Sequence, residues 1–511
     1  MSDMRLDRRA FLSAAAAVAL AGCAAQPTGG SASSQPRRGG RLRAAFAGGG
    51  AQESLDPHLA NLFLEASRSK AMFDKLADYG TDVSIVPRLA SRWESDAELT
   101  TWRITLREAA FHDGKPVRAA DVLHSYARIA DEKRTFRAKA NLALIDLRNS
   151  RAVDDRTVEF RLKRPYAEFP NVLAAFGAYI VPEGADEFSR PVGSGPFTFG
   201  SFQPGRSLLL KRNPGYWDGA PYVDELEYLI AGEESARVNA VLGGQADYAH
   251  DLTPATARTH EAGGRMSIIR LNNSGMQAFA MKVDRPPFDD PRLRKAMFLL
   301  ADRSQLIDSV LGGAGQVGND LFGKDYLYYA ADIPQRTPDL EQARWLIDKA
   351  GAKGMKIQLD TSAAASGFLE AAGVFADQAR QAGLEVSAKV GNKDTYWADV
   401  LNKGTICCYR SGAMPIETHL SQRLLTNSTT NATKWARPEF DALYDQAVAS
   451  PDEARRRGIY QDMQRTLHAE GGFLIWGFAD WLLGTSPRLR GVANAPANTL
   501  DWARFDKVWL A

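Results

Sequence analysis

The chain has 511 residues, of which 45% are hydrophobic and 24% are charged, proportions typical of globular proteins rather than disordered or fibrous ones. Its 63 basic and 61 acidic residues give a net charge of +2, and the absence of a long run of one sign argues against a nucleic-acid partner. A chain this long exceeds what one hydrophobic core usually supports, which indicates two or more domains.

The first predicted element is an export signal over residues 1–22. Arginines precede a short apolar stretch and small residues follow it, the order of a signal peptide. The stretch is about half of the roughly 20 residues that a membrane-spanning helix needs. LAGC, which ends at Cys23, resembles the lipobox of bacterial lipoproteins, in which the exposed cysteine thiol is diacylated. RRAFL resembles a twin-arginine export motif with Asp7 and Ser13 at two of its positions, so the route of export stays open.

The segment after Cys23 predicts a flexible connection to a folded body. Residues 23–40 are rich in Gly, Ser, Pro and Gln and cannot bury a core. We therefore expect an extracytoplasmic protein that is tethered to the membrane through a lipid on Cys23, with no other apolar run near membrane length.

The body then alternates short strands with helices whose ends are readable. RLRAAFA from Arg41 and TTWRITL from Thr100 alternate in the manner of strands. In the stretch 235–249 we predict a helix ended by Gly243 in the left-handed conformation, followed by a strand from Ala246 to Ala249. The result is an α/β pattern with mixed connections.

Five further helices are predicted by their capping residues and their periodicity. Asp290, Asp302 and Asp339 are expected as N-caps, and Gly312 as the end of the second of these helices. PEFDALYDQAV and EARRRGIYQDMQRTLHAEGG predict two more amphipathic helices near the C terminus.

Cys407 and Cys408 are adjacent, and we expect them to be buried and reduced. Neighbouring residues of a strand point to opposite faces, so a disulfide between them requires backbone distortion. Neither a nearby histidine nor a CxxC spacing accompanies them, and we predict no metal site there.

Several sequence blocks follow one another from about Arg41 to the C terminus: SLDPHLA, MFDKLADYGTDVSIVPRLASRWE, TTWRITLREAAFHDGKPVRAADV, GSGPFTFGSFQPGRSLLLKRNPGYWDGAPYVDELEY, PPFDDPRLRKAMFLLADRSQLIDSVLGG and YQDMQRTLHAEGGFLIWGFADWLLGTSPRLRGV. In content and order these blocks resemble one large family, the extracytoplasmic solute-binding proteins of ABC transporters that serve di- and oligopeptide and nickel importers. The resemblance implies a two-lobe α/β fold, periplasmic-binding-protein-like (type II, large cluster C type), with a hinge and mixed sheets, that closes on its ligand.

The resemblance also implies domain boundaries. We expect lobe I over residues 41–270, with an inserted subdomain at about 61–195. Lobe II would cover residues 271–485, and residues 486–511 would return to lobe I. The crossings near 270 and at 485–492 would form the hinge.

Ligand residues are expected in the segment CCYRSGAMPIETHLSQRL. Peptide-binding members carry an aspartate there that pairs with the peptide's amino group, and this chain has none. Arg410, beside Ser411, would select a carboxylate, phosphate or phenolate, or else lie in solvent or a structural ion pair. Glu417 could instead pair with the amino group of a peptide.

The remaining ligand candidates are aromatic and polar side chains near the implied cleft. Trp397, Tyr409 and Trp435 flank the segment and could line a pocket or belong to the core. Asn273 and Ser274 begin the second half, where members of the family place hydrogen-bond donors.

The resemblance implies a monomeric binding protein, without catalytic residues or cofactor, that delivers a peptide or peptide-like solute to a membrane permease. HExxH, G-x-S-x-G, P-loop and GxGxxG motifs are missing, which argues against an enzyme. An acidic non-peptide solute, such as an opine-like acid or a sugar conjugate, is the alternative. A nickel or other metal chelate is a further alternative ligand. A site for it would need histidines, and His419 is the one histidine in the expected ligand segment. A third alternative is a sensor that binds its ligand without delivering it to a transporter.

Overall fold

The computed structural model describes residues 35–50, 53–393 and 395–511. The predicted signal peptide, Cys23 and most of the predicted tether lie outside these residues. Residues from Pro36 to Ala511 form one compact unit. Among the described residues, no helix combines the length and the apolar character that a bilayer crossing demands.

The strands of the described chain are β1 (Arg41–Phe46), β2 (Ala77–Tyr79), β3 (Ile85–Pro87), β4 (Ala90–Ser95), β5 (Thr101–Leu106), β6 (Ile145–Asp154), β7 (Thr157–Leu162), β8 (Phe197–Gln203), β9 (Ser207–Arg212), β10 (Glu225–Ile230), β11 (Tyr248–Leu252), β12 (Ser267–Met281), β13 (Gly315–Val317), β14 (Lys356–Thr361), β15 (Glu385–Val390), β16 (Ile406–Gly412), β17 (Phe473–Thr485), β18 (Leu489–Arg490) and β19 (Trp509–Leu510).

The helices are α1 (Phe63–Met72), α2 (Ala119–Ala130), α3 (Lys139–Leu142), α4 (Phe169–Leu173), α5 (Glu234–Leu242), α6 (Pro254–His260), α7 (Pro291–Leu300), α8 (Arg303–Leu311), α9 (Leu340–Lys349), α10 (Phe368–Ala382), α11 (Tyr396–Asn402), α12 (Ile416–Arg423), α13 (Pro438–Val448) and α14 (Glu453–Glu470). A short 3₁₀ turn covers Phe505–Lys507.

One mixed sheet runs through most of the molecule, in the order β15-β14-β16-β12-β17-β11-β1-β10-β9-β8. We call β11, β1, β10, β9 and β8 the N-terminal half-sheet, and β16, β14 and β15 the C-terminal half-sheet. Strand β1 is parallel to both of its neighbours, as is β14, whereas β12 and β17 pair antiparallel with each other and with the strands beside them. The predicted α/β fold with a mixed sheet is confirmed.

The two long strands β12 and β17 connect the half-sheets, and we call them the joining strands. They are paired from Ser267 opposite Thr485 to Ala280 opposite Phe473. The register shifts between Leu271 and Gly275, which marks a bulge in β12 near the middle of the pair. A bulge bends a strand and increases its local twist, so the two half-sheets can take different orientations.

A separate small sheet is formed by β4, β5, β7 and β6, all antiparallel. Its buried face packs under α2, where Tyr126 stacks on Phe160 at 5.4 Å between ring centroids. The buried apolar residues of the small sheet are continuous with those of the C-terminal half-sheet, whereas the N-terminal half-sheet has a core of its own around Phe46 and Tyr228.

The predicted helix caps are confirmed. The carboxylate of Asp290 accepts from the backbone N–H of Arg292, that of Asp302 from Gln305, and that of Asp339 from Gln342. Gly312 ends α8 with a φ of 58°, as expected.

Helix α5 ends at Leu242 with Gly243 as its C-cap, as predicted, but the left-handed conformation predicted for Gly243 is wrong. Gly243 has a φ of −87°, and Gly244 takes the left-handed conformation with a φ of 71°. The N–H of Gly243 still bonds to the carbonyl of Asn239, so the helical path continues for one residue and the second glycine reverses it. The following strand accordingly begins at Tyr248 rather than Ala246.

The two adjacent cysteines of β16 are buried and unbridged, as predicted. Burial raises the pKa of the Cys407 thiol to about 11 and that of Cys408 to about 12. High thiol pKa values keep the reactive thiolate scarce at neutral pH, which fits a packing role for both side chains.

Candidate functional site

A cavity of about 80 Å³ lies where the two half-sheets meet the joining strands. The N-terminal side contributes Phe63, Asp251 and Pro254, and the C-terminal side includes Arg410 and Ser411. The joining strands form the wall between them. Elements from distant parts of the chain therefore converge on one cavity, the usual setting of a ligand site.

Arg410 is the cation of this cavity. It lies in β16 directly opposite Gln277 of β12, and both residues line the cavity. Within the described residues the guanidinium of Arg410 makes no hydrogen bond and no ion pair, although it lies 5.8 Å from the centroid of the Trp481 ring. Burial lowers the pKa of Arg410, and the negative charge of Asp251 partly offsets this. Its fork of donors is therefore available to an anionic group.

Asp251 follows His250 near the end of β11, with a φ of 59°. Its carbonyl oxygen accepts from Arg237, but its carboxylate has no hydrogen-bond or ion-pair partner in the part of the chain that the structure describes. Burial raises the pKa of Asp251, and the charges of Arg410 and Arg237 act in the opposite direction.

Asp480 is a second carboxylate on the cavity wall. It accepts a hydrogen bond of 3.3 Å from the backbone N–H of Asn273. Burial raises the pKa of Asp480, with that hydrogen bond and the charge of Arg270 opposing the rise. The cavity thus brings one guanidinium together with two carboxylates.

One side of the wall is apolar. The ring of Phe63 meets that of Trp481 edge-on at 4.4 Å between centroids, and behind them His250 stacks on Phe46 at 4.6 Å. Leu252 completes this side of the wall. A ligand with an apolar part next to its charged groups fits such a lining.

Three of the predicted ligand residues line the cavity: Ser274, Arg410 and Ser411. The hydroxyl of Ser274 donates to the carbonyl of Leu271, inside the bulge of β12. The hydroxyl of Ser411 accepts from Arg423 at 2.8 Å. Both serines therefore have local partners, which leaves Arg410 as the one of the three that is free to engage a ligand.

Asn273 supports the cavity from outside it. Its side-chain amide donates to the carbonyl of Lys324 at 2.8 Å, its carbonyl accepts from the hydroxyl of Tyr326, and its φ is 52°. Asn is well suited to this left-handed conformation. Asn273 thus shapes the bulge and holds Asp480 through its backbone N–H.

Glu417 lies in α12, away from the cavity lining, with 2% of its surface exposed. Its carboxylate accepts hydrogen bonds of 2.5 Å from both Tyr166 and Tyr444 and one of 3.2 Å from Asn171. Thr418 adds a hydroxyl donor at 3.0 Å. The carboxylate is occupied by the protein itself, in a contact that connects the small sheet's loop to the C-terminal helices.

The three aromatic candidates also lie outside the cavity lining. Trp397 is 37% exposed and meets Tyr409 edge-on at 6.0 Å between centroids. Tyr409 is buried and its hydroxyl accepts a hydrogen bond from Arg423. Trp435 is 1% exposed and packs edge-on against Phe440. Trp397 remains the most accessible of the three, on the surface beside Tyr409.

The described residues hold no cluster of three His, Cys, Asp or Glu side chains that could bind a metal ion. His419, the histidine of the expected ligand segment, is buried and stacks on Phe322 at 4.8 Å. Burial, with the nearby charge of Arg423, holds the pKa of His419 well below its usual range.

Sequence reasoning missed the residues that surround Arg410, namely Asp251, Gln277, Asp480 and Trp481. Asp251 carried a usable signal, because ligands of open α/β sheets bind at the carboxyl ends of strands, and it stands near the end of β11. The other three lie inside long buried strands, where nothing local distinguishes a cavity wall from a core.

Comparison with known proteins finds relatives in sequence and in fold. The family model described as "Bacterial extracellular solute-binding proteins, family 5 Middle" matches residues 84–434. Protein XP55 of Streptomyces lividans is 28% identical over 448 residues, covering 83% of this chain and 81% of its own length. The dipeptide-binding protein of Escherichia coli is 25% identical over 470 residues, covering 83% of this chain and 87% of its own length. The binding protein AgaA of A. tumefaciens R10, solved with agropinic acid, superimposes with a TM-score of 0.78 at 23% identity, covering 92% of this chain and 99% of its own.

Proposed function

Because the chain belongs to the bacterial extracellular solute-binding proteins of family 5, we propose that it captures a peptide or peptide-like small solute and delivers it to the membrane permease of an ABC importer. The family itself consists of transport binders rather than enzymes.

The observation that carries the proposal is the guanidinium of Arg410 in the cavity between the half-sheets, which has no hydrogen-bond or ion-pair partner among the described residues. A partly buried cation without a counter-ion is costly, and a solute carboxylate relieves that cost through a bidentate, charge-assisted pair. The E. coli relative is named for dipeptides, which carry a carboxylate at one end.

The shape of the cavity supports capture by closure. Its volume of about 80 Å³ is small beside the roughly 300–1,000 Å³ of pockets for larger ligands, so entry of a solute requires the walls to move apart. A ligand that touches both walls only when they are together shifts the population toward the closed form.

We propose lobe I over residues 41–270, with the inserted subdomain at about 61–195. Lobe II would cover residues 271–485, and 486–511 would return to lobe I. The joining strands support these boundaries, because β12 and β17 run from one half-sheet to the other on either side of the bulge.

Anchoring through a lipid on Cys23 follows from the LAGC motif and belongs to this proposal. A tether would keep the binding protein beside the permease and raise its effective concentration there. Replacing Cys23 with Ser should release the protein from membranes into the soluble fraction, and continued tight membrane association would contradict the anchor.

An acidic non-peptide solute is the second candidate, because Arg410 recognises the carboxylate and not the peptide bond. The structural relative AgaA was solved with agropinic acid, which supports this alternative. A metal chelate has less support, since His419 is buried against Phe322 rather than turned to the cavity.

The test is a thermal-shift screen of the purified protein against di- to pentapeptides, opine-like acids, sugar conjugates and nickel chelates. A solute at a hundred times its dissociation constant should add about 2.7 kcal/mol to the unfolding free energy. For the solute that binds, the substitution Arg410→Ala should weaken affinity by about 1.5–3 kcal/mol, whereas the exposed control Arg380→Ala should not. Unchanged affinity in Arg410→Ala would overturn the assignment.

A further inference from the structure

Resting on the proposed function, we infer that the solute is dipolar: Asp251 binds its amino group while Arg410 binds its carboxylate.

The first support is position. Asp251 belongs to the N-terminal half-sheet and Arg410 to the C-terminal half-sheet, and both line the same cavity. Each influences the other, since the charge of Arg410 lowers the pKa of Asp251 and the charge of Asp251 raises that of Arg410. They nevertheless form no ion pair within 4.0 Å, so the two charges face one another across a gap.

The second support is that each charge lacks a partner. No hydrogen bond or ion pair with another described residue satisfies the carboxylate of Asp251 or the guanidinium of Arg410. A charge that is removed from water is costly until it is paired. One solute that carries both an ammonium and a carboxylate pairs both charges at once and bridges the two walls.

The charge inventory of the cavity disfavours a simple anion. The charged side chains of the lining are Arg410, Asp251 and Asp480, so an anion without an amine would bring a further negative charge close to two carboxylates. Arg237 and Arg270, outside the lining, also act on these carboxylates. Asp480 already accepts a hydrogen bond from Asn273, which leaves Asp251 as the less satisfied carboxylate. An ammonium group relieves that repulsion and a bare acid does not.

The competing explanation for Asp251 is its backbone. Its φ of 59° belongs to the left-handed region, which Asp and Asn tolerate better than most residues, and its carbonyl oxygen accepts from Arg237. The substitution Asp251→Asn preserves both features and removes the charge alone. Any effect on binding is then an effect of the carboxylate.

The experiment compares chemically blocked forms of one ligand mixture. The low-molecular-weight fraction of an enzymatic casein hydrolysate is offered to the protein untreated, after acetylation of its amino groups, and after methyl esterification of its carboxylates. Matched opine-like acids are tested with their amino nitrogen free and acylated. We expect stabilisation by the untreated forms and little by either blocked form.

The variants then assign the amine site. For a binding solute with a free amine, Asp251→Asn should weaken affinity at least tenfold, while the exposed control Asp377→Asn leaves it unchanged. Equal binding of the acylated forms, or unaltered affinity in Asp251→Asn, overturns the inference and leaves the proposed function standing. If no peptide and no acid stabilises the protein in any form, the proposed function fails and this inference fails with it.

Discussion

The phenol of Tyr166 donates a hydrogen bond of 2.5 Å to the carboxylate of Glu417, although the two residues are 251 positions apart in the chain. Tyr166 follows the last strand of the small sheet, and Glu417 lies in the first turn of α12. Tyr444, from α13, donates to the same oxygen at 2.5 Å. This buried carboxylate therefore fastens the small sheet to the C-terminal helices.

We predict that Tyr166→Phe lowers the unfolding free energy by about 1.5–3 kcal/mol, because the hydrogen bond that it removes ends on a charged group. Urea denaturation measures the loss, and Phe keeps the ring in place so that packing changes little. Solute affinity should stay the same.

Glu417→Gln separates the two roles that have been considered for this residue. A structural role predicts reduced stability with solute affinity retained, since Glu417 is bonded to Tyr166, Tyr444 and Asn171 and not to the cavity. A folded Glu417→Gln protein of normal stability that has lost affinity for solutes with a free amine would instead support the amine-binding role.

Acid should destabilise the protein through its buried histidines. Burial among aromatic rings lowers the pKa of His250 to about 3, below the 6.5 of an exposed histidine, with the charge of Arg237 acting in the same direction. The unfolded chain therefore binds the proton more readily. The stability that neutral His250 provides is complete above about pH 6.5 and is lost progressively as the pH falls toward 3.

At pH 4.5 this loss amounts to roughly 3 kcal/mol for His250 alone, two pH units below the pKa of the unfolded form. Urea denaturation between pH 7 and 4.5 should show it, with a shallower pH dependence in His250→Phe. Identical slopes for the wild type and His250→Phe would contradict the assignment. His58 and His468, whose pKa values burial lowers to about 4, act in the same direction and remain in both proteins.

Substitution of the two tryptophan candidates should reduce stability to different extents. Trp435 is 1% exposed, so Trp435→Ala should cost about 3–5 kcal/mol of stability. Trp397 is 37% exposed, and Trp397→Ala should cost far less. Loss of solute affinity in a well-folded Trp397→Ala protein would show that the ligand extends past the cavity to this ring; unchanged affinity would limit the site to the cavity.

Gly193, in the sequence GSGPF, has no room for a side chain. A Cβ atom there would lie 1.9 Å from the carbonyl oxygen of Met72, a backbone atom. We predict that Gly193→Ala lowers the thermal midpoint sharply or prevents folding. Gly458 offers the control, because a Cβ there meets nothing within 4 Å and lies inside α14. Gly458→Ala should raise stability by about 0.5–1 kcal/mol, and equal effects of the two substitutions would refute the steric argument.

Local chemistry was readable from the sequence and long-range geometry was not. The caps at Asp290, Asp302 and Asp339 depend on backbone groups two or three residues away, so each could be identified from its neighbours. Arg410 could be selected because the family resemblance predicts ligand residues in its segment. Asp251 could not be paired with it, since only the sheet order brings β11 and β16 to one cavity.

The contacts of Glu417 were likewise not predictable from its sequence neighbours. Within its segment it was the one acidic side chain, which favoured a ligand role. Its actual neighbours, Tyr166 and Tyr444, come from a loop after the small sheet and from another helix, and no sequence pattern near Glu417 indicates them.

The most direct test of the central claim is a crystal structure of the protein with a solute identified in the thermal-shift screen. We predict the solute between the half-sheets, with its carboxylate within hydrogen-bond distance of the Arg410 guanidinium. A solute bound elsewhere, or one that lies in this cavity without contacting Arg410, would contradict the account.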